Sequence, residues 1–286
     1  MDFEKKHQED LQRLRGFRLL DDDFMTKVFE DISCAELLLR IILNDEGIRV
    51  LEAHSQRGIK NLQGRSVKLD ILAVDSHNRV FNVEVQRSDR GAGAKRARYN
   101  SALIDANVTE PGDQYEDLNE TFMIFITEND VMKAGLPIYH IDRVVRETGK
   151  LFEDEEHIIY VNSQIKDETK LGRLMHDFSC TDAKDMYNKV LADRVRYFKE
   201  DERGVEIMCR EMEIMRNQAH EEGIEKGRIM QLIKQVCVKM QKFSSAEEVA
   251  NDLVEQDVPL IQKIMNVAPD FAPDYNVNDI YNALKL

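Results

Sequence analysis

The sequence has no tryptophan, four cysteines, five prolines and thirteen glycines in 286 residues, and each shortage excludes something. So little Gly and Pro leaves no room for collagen-like or low-complexity segments. The cysteines stand far apart, at 34, 180, 209 and 237, without a CxxC pair. That spacing suits neither a zinc ribbon nor a disulfide framework and fits a reducing, cytoplasmic setting. No apolar run approaches the ~20 residues of a bilayer span, and the opening MDFEKKHQEDLQRLRGF lacks the apolar stretch of a secretory leader. No membrane partner is therefore expected. Positive charge is also scarce: 40 Lys+Arg face 54 Asp+Glu, a net charge of −14. Taken whole, that balance argues against nucleic acid, whose binding leaves a basic footprint. What is present, 42% apolar and 33% charged residues, is the material of an ordinary globular protein with one large domain or two.

The charge is unevenly spread. Residues 57–98 hold ten Lys/Arg against four acids, a local +6 that leaves −20 for the rest. A basic surface on an acidic protein and a plain solvated face both fit this pattern.

Residues 21–44 read as two helices. Asp21, Asp22 and Asp23 supply caps and negative charge before Phe24, Val28, Phe29 and Ile32 at helical spacing. Ser33, with Glu36 three residues on, forms a capping box for the second helix. Residues 67–74 and 80–86 are β-branched runs separated by Asp75-Ser76-His77-Asn78-Arg79, a hairpin signature. Residues 94–107 favour a helix. Residues 121–127 and 157–161 are further strands, with 136–145 as partner of the second. This is a mixed α/β order.

From about residue 181 helical periodicity takes over. Between 205 and 243 a heptad frame stays in phase, with ten of twelve a/d positions apolar and Glu222 and Lys226 as exceptions. It raises both a coiled coil, through which the chain forms a homo-oligomer, and an amphipathic helix that packs back on its own chain. A local break is expected at HEEGIEKG, where Gly223 and Gly227 weaken a helix. Residues 244–286 form a small helical unit. Ser244 and Ser245 each precede a Glu by three, and Pro259 sits at a helix start. Its spacing is that of a helix-turn-helix, but eight acids against two lysines make it a poor phosphate binder. The expected division is residues 1–200, a long helical segment 201–243 and an acidic helical tail 244–286.

The chemistry concentrates at the hairpin. Glu84 and Gln86 share one face of their strand, opposite Phe81, Val83 and Val85. A turn centred on His77 sets Asp70 opposite Glu84 and Lys68 opposite Gln86. Facing carboxylates repel unless a cation lies between them. Such a group suits a hard divalent metal and a phosphate, and it also suits a merely polar sheet face.

The run Gly64-Arg65-Ser66-Val67-Lys68-Leu69-Asp70 followed by Asn82-Val83-Glu84-Val85-Gln86 resembles the PD-(D/E)XK nuclease superfamily. Within it, the chain looks like the Rpn-type branch of recombination-promoting nucleases and transposases. Lys95-Arg96-Ala97-Arg98-Tyr99, Gly112-Asp113-Gln114-Tyr115 and the strand at 122–127 resemble that branch too, so the likeness covers roughly residues 21–200. It implies a restriction-endonuclease-like αβββαβ core with a C-terminal all-helical extension. It also implies that Asp70, Glu84 and the backbone carbonyl of Val85 are metal ligands. Gln86 stands where the superfamily most often has Lys; an amide orients a water or phosphate but adds no charge. Lys68 is the candidate for the missing cation. Glu36 resembles the acid that some members contribute from the preceding helix, in competition with its capping role. The implied activity is that of a Mg²⁺-dependent deoxyribonuclease, with Mn²⁺ or Ca²⁺ as alternative ions and low sequence specificity. Arg87, Arg90, Lys95, Arg96 and Arg98 would hold the DNA backbone. Recombination, transposition and phage defence are the settings this suggests. The alternative is a catalytically inactive nuclease fold that serves as a DNA-binding or protein-interaction scaffold.

Other chemistries find no support. The seven histidines form no HxxxH or His–Cys pair, and no P-loop, GxGxxG or GxSxG motif occurs. Cys34, in an apolar helix, reads as a buried structural thiol.

Overall fold

Three helices open the chain: α1 (Phe3–Arg15), α2 (Asp22–Phe29) and α3 (Ile32–Leu43). The computed structural model describes residues 3–61, 65–87, 91–109, 112 and 114–284, so Gly64, Arg90 and Asp113 lie outside the described residues. α2 buries Phe24, Val28 and Phe29 of the apolar set read from the sequence, with Met25 beside them, whereas Ile32 is exposed at the start of α3. α3 is capped by Asp31, whose side chain accepts from the Ser33 amide, and it ends at Asn44 in the left-handed conformation. Cys34 is buried within it, its thiol pushed up to about 12 by burial.

Strands β1 (Val50–Ile59), β2 (Val67–Asp75) and β3 (Val80–Gln86) follow as an antiparallel meander. Helix α4 (Ala94–Val108) crosses over to β4 (Thr121–Thr127), which runs parallel to β3. Then come β5 (Ile138–Ile141), the short ribbon β6 (Val144–Val145) and β7 (Lys150–Leu151), and β8 (Glu156–Asn162). The six-stranded mixed sheet has the order β1-β2-β3-β4-β8-β5. β5 pairs antiparallel with β8, the partnership expected of residues 136–145. Helix, three-strand meander, helix and parallel strand make this a restriction-endonuclease-like α/β core. All seven residues of β4 are buried, as befits a strand in the middle of a covered parallel layer. Ala97, Leu103 and Ile104 of α4 share a core with Leu69, Leu72, Met123, Phe125 and Tyr160 of the sheet.

The turn between β2 and β3 fixes the register. Asp75, 1% exposed, accepts the His77 and Arg79 amides through Oδ1, both at 2.9 Å, and Arg79 Nε through Oδ2 at 2.8 Å. Ile71 then faces Val83, Leu72 faces Asn82 and Ala73 faces Phe81. This is the register of a turn centred on residue 77.

Helices α5 (Lys170–Ser179), α6 (Lys189–Glu200), α7 (Glu202–Lys239), α8 (Ala246–Leu253), α9 (Val258–Val267) and α10 (Val277–Leu284) complete the chain as the helical extension. By its contacts the chain divides into two units, Met1–Cys209 and Arg210–Leu286. In the second, Ile229, Ile233 and Val236 of α7 are buried in one core with Val249, Ile261, Ile264 and Ile280. Ser245 and Glu248 close the capping box, and Pro259 lies in the first turn of α9.

One expectation changes here. The break at HEEGIEKG is absent: α7 runs unbroken through Gly223 and Gly227. The a/d residues Met208, Met212, Ile229, Ile233 and Val236 are all buried within the chain, as the packed-back amphipathic helix requires. Between 217 and 228 every residue is exposed, and nothing lies within 4 Å of a Cβ built on either glycine. Gly223→Ala and Gly227→Ala are therefore expected to stabilise the helix by about 0.5–1 kcal/mol each. Hydrogen exchange of the amides at 217–228 should slow in the double variant; unchanged exchange would mean that the glycines do not limit this segment.

Candidate active site

Asp70 and Glu84 lie where β2 and β3 begin to part. They are 8% and 0% exposed, so the solvated polar face does not exist here. Regular pairing of the two strands ends at Ile71–Val83. Beyond it the Asp70 carboxylate itself takes the next backbone donor, accepting the Val85 amide through Oδ2 at 3.0 Å. Glu84 accepts Asn82 Nδ2 through Oε1 at 3.3 Å and forms an ion pair through Oε2 with Arg96 Nη2. Asn82 is fully buried, and its own Oδ1 has no protein partner.

Burial, then the charges of Glu84 and Asp22, push the Asp70 carboxyl up to about 8, against the pull of the Val85 amide and Arg96. Burial also raises Glu84, with Arg96 as the largest opposing influence. The Asp70 backbone amide pulls Glu84 down as well, so each carboxylate reaches the other residue's strand.

Asp22 is the third acid, and the sequence reading missed it by treating it as cap charge. Burial raises its pKa, while Lys68, a hydrogen bond from Gln56 and Arg96 lower it. Gln56 Nε2 donates to Asp22 Oδ1 at 3.2 Å. Gln56 sits between Ser55, paired with Ile71, and Arg57, paired with Leu69. It takes a left-handed φ of 52°, an uncommon conformation for a non-glycine residue in a strand. This irregularity of β1 stands opposite Asp70, and it turns an amide toward the acid of α2.

Glu36 fills neither of its expected roles. Asp31 rather than Ser33 caps α3, and Glu36 accepts the Val50 amide at 3.0 Å while pairing with Arg40 and Arg49. Val50 pairs with Asp75, five residues along β2 from Asp70, or about 16 Å at the rise of a strand. Lys68 does not stand opposite Gln86 either. It pairs with Gly58 across β1–β2, and Gln86 pairs with Thr127 on β4. Lys68 is exposed, and its charge acts on Asp22 and Asp23.

The expected DNA-contacting residues divide. Arg96 is engaged with Glu84 and with the Gly91 carbonyl, which accepts Nη1 at 2.9 Å. Arg87 pairs with Asp21 at 2.8 Å and Glu128 at 3.4 Å. Arg90 lies outside the described residues. Lys95 and Arg98 are exposed, as are Arg57, Lys60 and Arg65 of the same basic window. Gln86 lies against bare backbone: a Cβ on Gly91 would stand 1.7 Å from its Oε1 and 3.4 Å from Arg96 Nη1.

Asp22, Asp70, Glu84 and the Val85 carbonyl would form an all-oxygen donor set, with Arg96 as a cation paired to Glu84. It fits a hard divalent cation. These carboxylates are not drawn tightly together: among the described residues, only His176, Asp177 and Cys180 bring three ligand atoms within 4.8 Å of one another. Here the reading of no His–Cys pair is corrected, since Cys180 Sγ lies 3.5 Å from His176 Nδ1 one turn away. That cluster serves structure. Asp177 accepts the amides of Tyr187 and Asn188 and the Asn188 side chain at 2.7–2.8 Å, and burial pushes the Cys180 thiol up to about 11.

Residues 36–171 match the family model described as PD-(D/E)XK nuclease family transposase. No curated protein and no solved structure matches the chain. The matched stretch includes Asp70, Glu84 and Arg96 and begins after Asp22.

With its carboxyl held well above the ordinary 3.8, Asp70 binds its proton more firmly in the folded chain than in the unfolded one. Its contribution is therefore most favourable below about pH 4, and it is lost as pH rises toward 8. Asp70→Asn should raise the melting temperature of the metal-free protein by roughly 3–6 °C at pH 8 and by little at pH 4.5. Calorimetry at the two pH values checks this; a loss of stability at pH 8 would overturn the assignment.

Proposed function

Because residues 36–171 match the model of the PD-(D/E)XK nuclease family transposases, we propose that the protein is a Mg²⁺-dependent endonuclease that hydrolyses DNA phosphodiester bonds with low sequence specificity. The observation that carries this reading is the buried Asp70–Glu84 pair on adjacent strands, with Asp22 beside it. Asp70, Glu84 and the Val85 carbonyl would hold the ion, with Asp22 as a further acid; Mn²⁺ and Ca²⁺ are the alternative occupants. A bound divalent ion polarises the phosphate and lowers the pKa of a water.

The remaining work falls to this chain's own side chains. Gln86, seated against Gly91, offers an amide to orient a water or a phosphate oxygen, without adding charge. Lys95 and Arg98 of α4, with Arg57, Lys60 and Arg65, supply exposed positive charge for a phosphate backbone. None of the motifs read from the sequence is a base-reading element, which supports low specificity. Action in the cytoplasm, on DNA undergoing recombination or transposition, fits the family.

The test uses supercoiled plasmid with Mg²⁺, Mn²⁺ or Ca²⁺ and three proteins: the wild type, Asp70→Ala and Glu84→Ala. Each substitution should slow nicking by about 10²-fold or more. Equal nicking by all three would point to a contaminant, and no nicking with any ion would favour a scaffold. Lys95→Gln and Arg98→Gln should each lower the salt dependence of DNA affinity by about one unit of slope, measured by anisotropy between low and moderate salt.

A further inference from the structure

Arg96 stands in an unusual place for a basic residue. It is the third residue of α4, after the N-cap Gly93, where the helix dipole repels positive charge. No acid occupies that first turn, and Lys95 and Arg98 add to the repulsion. Yet the guanidinium is fixed on both sides, by the Gly91 carbonyl at 2.9 Å and by Glu84 Oε2. Its charge acts on Asp22, Asp70 and Glu84 alike. The Glu84 side chain is fully buried, whereas that of Arg96 is 36% exposed. The carboxylate therefore cannot leave without opening the sheet, and the guanidinium can withdraw toward solvent.

Resting on the nuclease reading above, we propose that Arg96 is a counter-cation to Glu84 that a divalent ion must displace. It neutralises Glu84 when no divalent ion is bound, it competes with that ion for the same carboxylate oxygen, and once displaced it becomes the positive charge offered to a phosphodiester oxygen. The chain has Gln86 rather than a cationic residue on β3, and a guanidinium from α4 supplies what the amide lacks. A planar guanidinium suits both partners, since it binds carboxylate and phosphate with the same fork of N–H donors. Gly91 is part of the device. Its carbonyl holds the guanidinium on the side away from Glu84, and any side chain at 91 would drive into Gln86 and crowd Arg96.

The test compares full-length wild type with Arg96→Met, Arg96→Lys and Lys95→Met. Mn²⁺ affinity is read from the EPR signal of the free ion, and plasmid nicking is measured at saturating Mn²⁺. Arg96→Met should bind Mn²⁺ about tenfold or more tightly while nicking about 10²-fold more slowly. Lys95→Met removes the same charge from the exposed face of the same turn and should change Mn²⁺ affinity by no more than about threefold. In the wild type, the Arg96 Nε–Hε resonance, assigned by its absence from Arg96→Lys, should shift as Mg²⁺ is added. That readout holds even where Arg96→Met does not fold. Mn²⁺ binding by Arg96→Met no tighter than wild type, or an Arg96 resonance indifferent to Mg²⁺ in a protein that binds and nicks, would overturn the exchange and leave the nuclease reading standing. Absence of divalent-ion binding by wild type and variants alike would overturn both.

Discussion

Carboxylates held out of water repel one another and resist ionisation, and a fold that gathers them must bring a cation or leave room for one. Much of the local structure at one end of the sheet follows from that requirement. Asp70 takes a backbone amide from β3 where the ladder would otherwise continue. Gln56 leaves the regular strand conformation and turns its amide to Asp22. Asn82, buried beneath, donates to Glu84. Gly91 remains bare so that Gln86 and Arg96 can lie against its backbone. Each of these arrangements disfavours folding on its own terms, through an irregular strand, a buried amide or a flexible residue. Together they assemble oxygen donors that the hydrophobic core alone would never gather.

The net charge of −14 says little about this region. Three of the basic residues in the 57–98 window are spoken for internally: Arg79 by Asp75 and Asp45, Arg87 by Asp21 and Glu128, and Arg96 by Glu84. Those that remain exposed come from β1, the segment after it, the start of β2 and the start of α4. They supply positive charge close in sequence and register to the acids, while the surplus acid lies elsewhere. An acidic surface over most of a protein keeps non-specific association with polyanions weak.

Much of the hairpin could be read directly from the chain. The turn residues at 75–79 set its centre, the centre set the register, and the register brought Asp70 and Glu84 to adjacent positions. The reading failed where a contact is made across elements rather than along them. β1 escaped because Leu51 is apolar yet exposed and Gln56 disrupts the alternation by which strands are recognised. Asp22 and Glu36 both sit early in helices, and a local rule cannot tell which of two such acids lies near Asp70. A signal for Asp22 existed: a cap needs one acid, and Asp21-Asp22-Asp23 offers three. Arg96 carried a signal as well, since basic residues in a first helical turn call for an acidic partner. The glycines of α7 misled for the opposite reason, because a long helix packed near both ends tolerates two weak residues between them.

The Asp75 turn has a consequence for how this sequence can vary. Side chains alternate along a strand, so a shift of one residue at the turn would carry Asp70 or Glu84 to the opposite face of the sheet. Exchanging a residue at 76, 77 or 78 leaves that parity untouched, whereas inserting or deleting a single one reverses it. Within a functional lineage, residues 76 and 77 should vary more freely than Asn78, whose φ is 62°, while the length of the turn stays fixed.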